Sequence, residues 1–245
     1  MRLELRPIRP AGWWLDAVLV AGFVAVTLLL AARTPLLHVD TAVRDFVDAH
    51  RPHWFYITLR VGNLLGQGGM VLTPLVAIAA FFMSRARHTV RPFLPFLGAE
   101  LITYVTIGPL KVWTDRTAPS DHKISNPEWL FRIDTGMSYP SGHVVNTIVF
   151  YGVLATMLTG VLRPRLVTAL RYTIPLVVVF TTTYLSFHWF TDGIAALMVG
   201  LVLERLLRRV PWDDIPLGGR LTRAGWAGPF YDVVEETQEP ARITR

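Results

Sequence analysis

The chain contains no cysteine, so neither a disulfide framework nor a thiolate metal site is open to it. Lysine is nearly absent as well: of 24 basic residues only Lys111 and Lys123 are lysines. So heavy an arginine skew is usual for GC-rich genomes and points to a bacterial source. Charge is sparse, at 17% of residues, and no acidic cluster or histidine group has the spacing of a calcium or zinc site. No segment repeats and nothing marks a second domain.

What fills the chain is apolar: 52% of its 245 residues are hydrophobic and its mean hydropathy is +0.40. That is too apolar for a soluble domain and implies an all-α, polytopic membrane protein, because a span needs roughly 20 apolar residues. The net charge of +6 could suit nucleic acid, yet the arginines fall between apolar runs and form no basic domain, so no nucleic-acid partner is expected.

Six spans are expected, at about 13–32, 70–83, 92–113, 142–162, 167–187 and 189–207. Trp13 and Trp14 open the first as interfacial aromatics do, and its length argues for a retained helix rather than a cleaved leader at "LLLAART". Between the first two lie an amphipathic stretch, 34–53, and "FYITLRVGNLLGQGG", which reads as a short helix or re-entrant piece broken by glycines. The spans form one unit over 1–210, and the polar tail 211–245 is expected to be poorly ordered. With both termini in the cytoplasm, the arginines of 1–9, 85–91, 163–171, 205–209 and the tail all lie inside, as the positive-inside rule asks. The chain is thus expected to be a multi-pass protein of the cell membrane. The loop 114–139, the stretch "YPSGH" and the 187–192 junction then share the outer face.

These three places carry the chemistry-bearing residues. "KVWTDRTAP" puts Lys111 at a membrane boundary, where a lone lysine reads equally as an anchor or as a ligand. In "YPSGHVV", Pro140 and Ser141 open a helix whose free N–H groups make an anion site, although Ser141 alone reads as an N-cap. In "YLSFHWFTDGIAA", His188 and Asp192 are four apart, so on a helix they share a face and hydrogen-bond. A carboxylate on one ring nitrogen leaves the other free as nucleophile or base. Together they suit a multiply charged oxyanion such as phosphate.

These segments resemble the three motifs of the type-2 phosphatidic acid phosphatase superfamily: Lys-x6-Arg-Pro, Pro-Ser-Gly-His and Ser-Arg-x5-His-x3-Asp. The resemblance implies a six-helix membrane phosphatase with its site at one face, acting on a lipid phosphate or diphosphate among membrane lipids, with no metal or cofactor. Carried over, it makes His188 the nucleophile that becomes phosphohistidine, Asp192 its orienter and His143 the general acid. Lys111, Ser141 and Gly142 become phosphate ligands. Two family arginines are missing, since their positions hold Ala118 and Thr182. A threonine hydroxyl does not match the bidentate, charged bonds of arginine. Arg116 is the expected substitute, two residues before Ala118; His122, Lys123, Arg132 and Arg60 are further candidates.

Three functions follow from this pattern. One is a lipid phosphatase or phosphotransferase with a rearranged anion pocket. Another is ionisation of an allylic diphosphate, its cation shielded by Trp113, Trp129, Phe131, Tyr139, Trp189 and Phe190, although an interfacial belt accounts for the same aromatics. The third is non-catalytic lipid binding, against which stand the intact His143, His188 and Asp192. Nothing in the sequence fixes an oligomeric state.

Overall fold

The structure is a computed structural model and describes residues 9–121, 123–132, 136–159 and 161–217. Its described part is all helical. Helix α1 is Trp14–Ala31, followed by α2, Leu36–Ala49, and α3, His53–Gly62. A 3-10 turn at Asn63–Gly66 and a π-turn at Gly68–Leu72 lead into α4, Thr73–Arg87. Then come α5, Phe93–Thr114, and, after an irregular loop, α6, Gly142–Leu158. Helix α7, Pro164–Thr168, continues through a π-turn at Ala169–Thr173 into α8, Ile174–Tyr184, and α9 is Phe190–Arg209.

Among the described residues, four helical runs are long and apolar enough to cross a membrane: Trp14–Ala31, Gly68–Arg87, Phe93–Thr114 and Pro164–Tyr184. Their lengths, 18 to 22 residues, correspond to about 27–33 Å of α-helix, the thickness of a hydrocarbon core. The other two expected spans differ for physical reasons. Helix α6 has only 17 residues and is surrounded by protein, so it need not match lipid. Helix α9 carries Asp192 near one end and Glu204, Arg205, Arg208 and Arg209 near the other.

Helix α6 is the axis of the molecule. It packs on α4, α5, α8 and α9, and twelve of its residues are buried, among them Val144, Val145, Ile148 and Val149. Between helices in lipid the hydrophobic effect supplies little drive, so close contact through small residues matters. Gly200 of α9 meets α6 that way: a Cβ there would stand 2.8 Å from Ile148 Cδ1 and 3.4 Å from the Cα of Val145. Gly152 of α6 similarly makes room for Glu204, which pairs with Arg171 and Arg208. At the same end Asp16 of α1 holds Arg205 at 2.7 Å and Arg209 at 2.5 Å, pinning α1 to α9.

The glycine-broken segment leads into the run that begins at Gly68 and packs against α6. After α3 the chain passes through the two irregular turns, and Gly66 and Gly68 press against the opening of α6: Cβ atoms there would stand 3.3 Å from His143 Cβ and 2.2 Å from Asn146 Nδ2. Helix α2 lies against α1, α8 and α9, burying Leu37, Asp40 and Val47. An aspartate on that buried stripe is the fold's first pointer to a site.

Candidate active site

The site forms where α5 ends, α6 begins and α9 begins. Ser141 is the N-cap of α6: its hydroxyl accepts from the Val144 N–H at 3.4 Å, and its own N–H donates to the Asp192 carbonyl at 3.2 Å. The first bond caps α6, and the second ties its start to the start of α9. Lys111, in the last turn of α5, reaches across the first residue of α6. A Cβ on Gly142 would stand 3.2 Å from its Cε and 3.7 Å from its Nζ, and the ammonium donates to the Met137 carbonyl. His143, one residue on, turns its Nδ1 toward His188 Nε2, 3.4 Å away, with the rings inclined at 68°. Lys111, Ser141, Gly142, His143, His188 and Asp192 therefore meet, although they come from three separated stretches of sequence.

His188 and Asp192 do not share a helical face. His188 precedes α9, which begins only at Phe190, and Asp192 folds back to accept the Trp189 N–H at 3.0 Å as a helix-opening cap. This turn brings Asp192 Oδ2 to 3.5 Å from His188 Nδ1. Ser138 stands between them, its Oγ 3.2 Å from Nδ1 while its hydroxyl donates to Asp192 Oδ2. Both routes orient the ring so that Nε2 turns toward His143. Burial disfavours the imidazolium and lowers the His188 pKa from its ordinary 6.5, against the pull of Asp192.

Arg116 has a different place from the one expected. It is fully buried behind Asp192, with Nη1 2.5 Å from Asp192 Oδ1 and 2.8 Å from the Thr191 hydroxyl. Nη2 reaches Asp40 Oδ2 at 2.5 Å, and Nε donates to the Glu128 carbonyl at 2.8 Å. Every nitrogen of the guanidinium is committed to protein, on the far side of the carboxylate from His188. The physical reason is charge: two desolvated carboxylates need a buried cation more than a solvated pocket does. Gly136 permits this closeness, since a Cβ there would lie 2.4 Å from the Arg116 carbonyl carbon.

The other substitutes are scattered. Lys123 is exposed, Arg132 bonds the carbonyl of Asn126 at 2.7 Å, and Arg60 is exposed on α3 with its guanidinium 5.8 Å from the Tyr56 ring. His122 lies outside the described residues. Thr182 turns its buried hydroxyl back to the Val178 carbonyl at 2.8 Å. The aromatics do not line one cavity: Trp189 and Tyr139 are buried, whereas Trp113 and Phe131 are exposed and pack edge to face.

Sequence reasoning passed over Asp40, Ser138, Thr191 and two arginines near His188. Arg44 lies 5.5 Å from the Trp189 ring and lines a small recess with Ser186 and His188. Arg51 donates to the Ser186 hydroxyl at 2.5 Å. Only Asp40 left a signal, an acid on the inward stripe of an amphipathic helix beside Leu37 and Val47.

A family model described as PAP2 superfamily matches residues 92–216, which include α5, α6, α8, α9 and every motif residue of the site. The chain belongs to the PAP2 superfamily. Over 198 residues it is 26% identical to phosphatidylglycerophosphatase B of Bacillus subtilis (strain 168), covering 77% of this chain and 92% of that protein. Among solved structures it resembles the crystal structure of the first transmembrane PAP2 type phosphatidylglycerolphosphate phosphatase from Bacillus subtilis, at 25% identity and a TM-score of 0.66. That likeness covers 80% of this chain and 95% of the other. This PAP2 chain is accordingly a membrane protein of several apolar helices, akin to a bacterial transmembrane phosphatase.

Proposed function

We propose that this PAP2 protein is a lipid phosphatase that works through a phosphohistidine on His188 and needs no metal. The observation that carries the reading is the pair of facing nitrogens, His188 Nε2 and His143 Nδ1 at 3.4 Å, beside the first turn of α6 and Lys111. The two rings stand too close to hold a phosphorus between them, so the phosphoryl group parts them as it enters.

In the first step His188 Nε2 bonds to phosphorus while the bond from phosphorus to the lipid oxygen breaks. His143 gives its proton to that oxygen, so a neutral lipid alcohol leaves, or a lipid monophosphate when the substrate is a diphosphate. Asp192 and Ser138 hold the Nδ1 proton and balance the charge that develops on the ring. Lys111 and the amides that open α6 bind the non-bridging oxygens, where charge-assisted bonds to a developing oxyanion contribute most. In the second step His143 takes a proton from water, the water oxygen bonds to phosphorus, and the P–N bond breaks to release inorganic phosphate.

The relatives' names make phosphatidylglycerol phosphate the first substrate to try. Six spans, both termini in the cytoplasm and a site at the outer face of the cell membrane complete the reading. The dispersed aromatics give the carbocation alternative no support.

The test is phosphate release by the purified protein in detergent with EDTA, offered phosphatidylglycerol phosphate, phosphatidic acid, undecaprenyl diphosphate and farnesyl diphosphate. Release that vanishes in His188→Ala is the expected result. Release unchanged in that variant, or none from any lipid by the wild type, contradicts the proposal.

A further inference from the structure

The family motifs account for one side of Asp192, the side that faces His188. Its other oxygen faces a buried assembly that no motif contains. Arg116, from the loop after α5, sits between Asp192 of α9 and Asp40 of α2, at 2.5 Å from each, and all three side chains are sealed from solvent. Asp40 is itself fixed to the first turn of α9: its Oδ1 accepts the Thr191 N–H at 2.9 Å and its Oδ2 the Thr191 hydroxyl at 2.5 Å. We propose that Asp40 and Arg116 are a positioning pair, through which α2 holds Asp192, and so His188, in the geometry needed for attack. This rests on the phosphatase reading of the same site.

The roles follow from the distances. Arg116 has no free nitrogen with which to bind a phosphoryl oxygen, so it acts on the reaction through Asp192. It neutralises part of the Asp192 charge and thereby limits how strongly that carboxylate stabilises an imidazolium on His188. Asp40 opposes Arg116, drawing the guanidinium away from Asp192 and toward α2. Burial lifts the Asp40 carboxyl above its ordinary pKa and Asp192 adds to that rise, while Arg116 is the charge that opposes it. The remaining groups facing His188 are His143 of α6, Lys111 of α5, Ser138 of the loop and Arg44 of α2. All are left intact by changes at Asp40 or Arg116.

Two substitutions therefore have opposite signs. Removing the cation, in Arg116→Met, leaves Asp192 free to favour imidazolium, so His188 titrates at higher pH. Removing the counter-charge, in Asp40→Asn, lets Arg116 bind Asp192 more closely, so His188 titrates at lower pH. A role in packing alone, with neither charge coupled to His188, gives no such opposition. Histidine titration followed by NMR in 13C-labelled protein, with His188→Ala to assign the signal, reads this directly and needs no turnover. Kinetics supply the second readout: kcat on phosphatidylglycerol phosphate falls by about 10- to 100-fold in Arg116→Met, as losing an outer hydrogen-bond partner does elsewhere. KM and inhibition by orthovanadate, a phosphate mimic, stay within a few-fold of the wild type. If Arg116→Met does not fold, Arg116→Lys takes its place, keeping the charge but not both bonds, with a smaller upward shift. Movement in the same direction in both variants, or none, overturns the proposal, and so does weakened orthovanadate inhibition with kcat unchanged. A wild type that releases no phosphate sinks the phosphatase reading alone, since the opposed titration shifts then still decide the pairing.

Discussion

His188, the proposed nucleophile, is buried, and burial disfavours its charged form. The proposed mechanism needs the free base at Nε2, and burial lowers the pKa from 6.5, so the acid limb of kcat/KM, corrected for substrate ionisation, is expected below pH 6.5. A midpoint above that value contradicts the assignment. The linkage to stability has a fixed sign. The unfolded chain takes up a proton near 6.5 while the folded chain resists it, so the contribution of His188 to stability is present above 6.5 and is lost as the pH falls. The same scale shows what the sequence concealed. His188, His143 and Asp192 were legible because each belongs to a short motif. The partners of Arg116 were not, because Asp40 and Asp192 each lie 76 residues from it and nothing local marks the pairing. Counting along the chain suggested that Arg116 replaces the absent motif arginine. Burial decides otherwise, because two desolvated carboxylates on one arginine would be left uncompensated by its loss, at a cost of about 3–5 kcal/mol.

Elements were easier to read than contacts. The boundaries of α1, α5 and the run that ends in α8 follow the apolar stretches to within a few residues, because lipid-facing length is written directly in composition. Helix α6 ends earlier than its apolar run because protein, not lipid, surrounds it. The amphipathic 34–53 stretch does form a helix, yet its buried face seats Asp40 against α9, a function that periodicity alone does not specify. The proposed topology of these elements has a direct test that the absence of cysteine makes clean. A membrane-impermeant maleimide is expected to label Ser120→Cys, exposed in the loop beyond α5, in intact cells. Arg85→Cys, exposed at the end of α4, should react only after permeabilisation. The reverse pattern puts the site on the cytoplasmic face.

Viewed whole, the molecule brings the ends of three helices together and braces them with ion pairs on both sides. At one end Asp16, Arg205 and Arg209 tie α1 to α9; at the other Asp40, Arg116 and Asp192 tie α2 to the same helix. Helix α9 is thus held at both termini, and its first turn carries Asp192, the carboxylate beside His188. The central claim is that phosphorus passes through His188. It is tested most directly by mixing enzyme with lipid carrying labelled terminal phosphate and quenching within milliseconds in alkali and, separately, in acid. The account predicts label on protein that survives alkali, is lost in acid and is absent from His188→Ala. Turnover with no labelled protein in the wild type, or equal labelling in the variant, would contradict it.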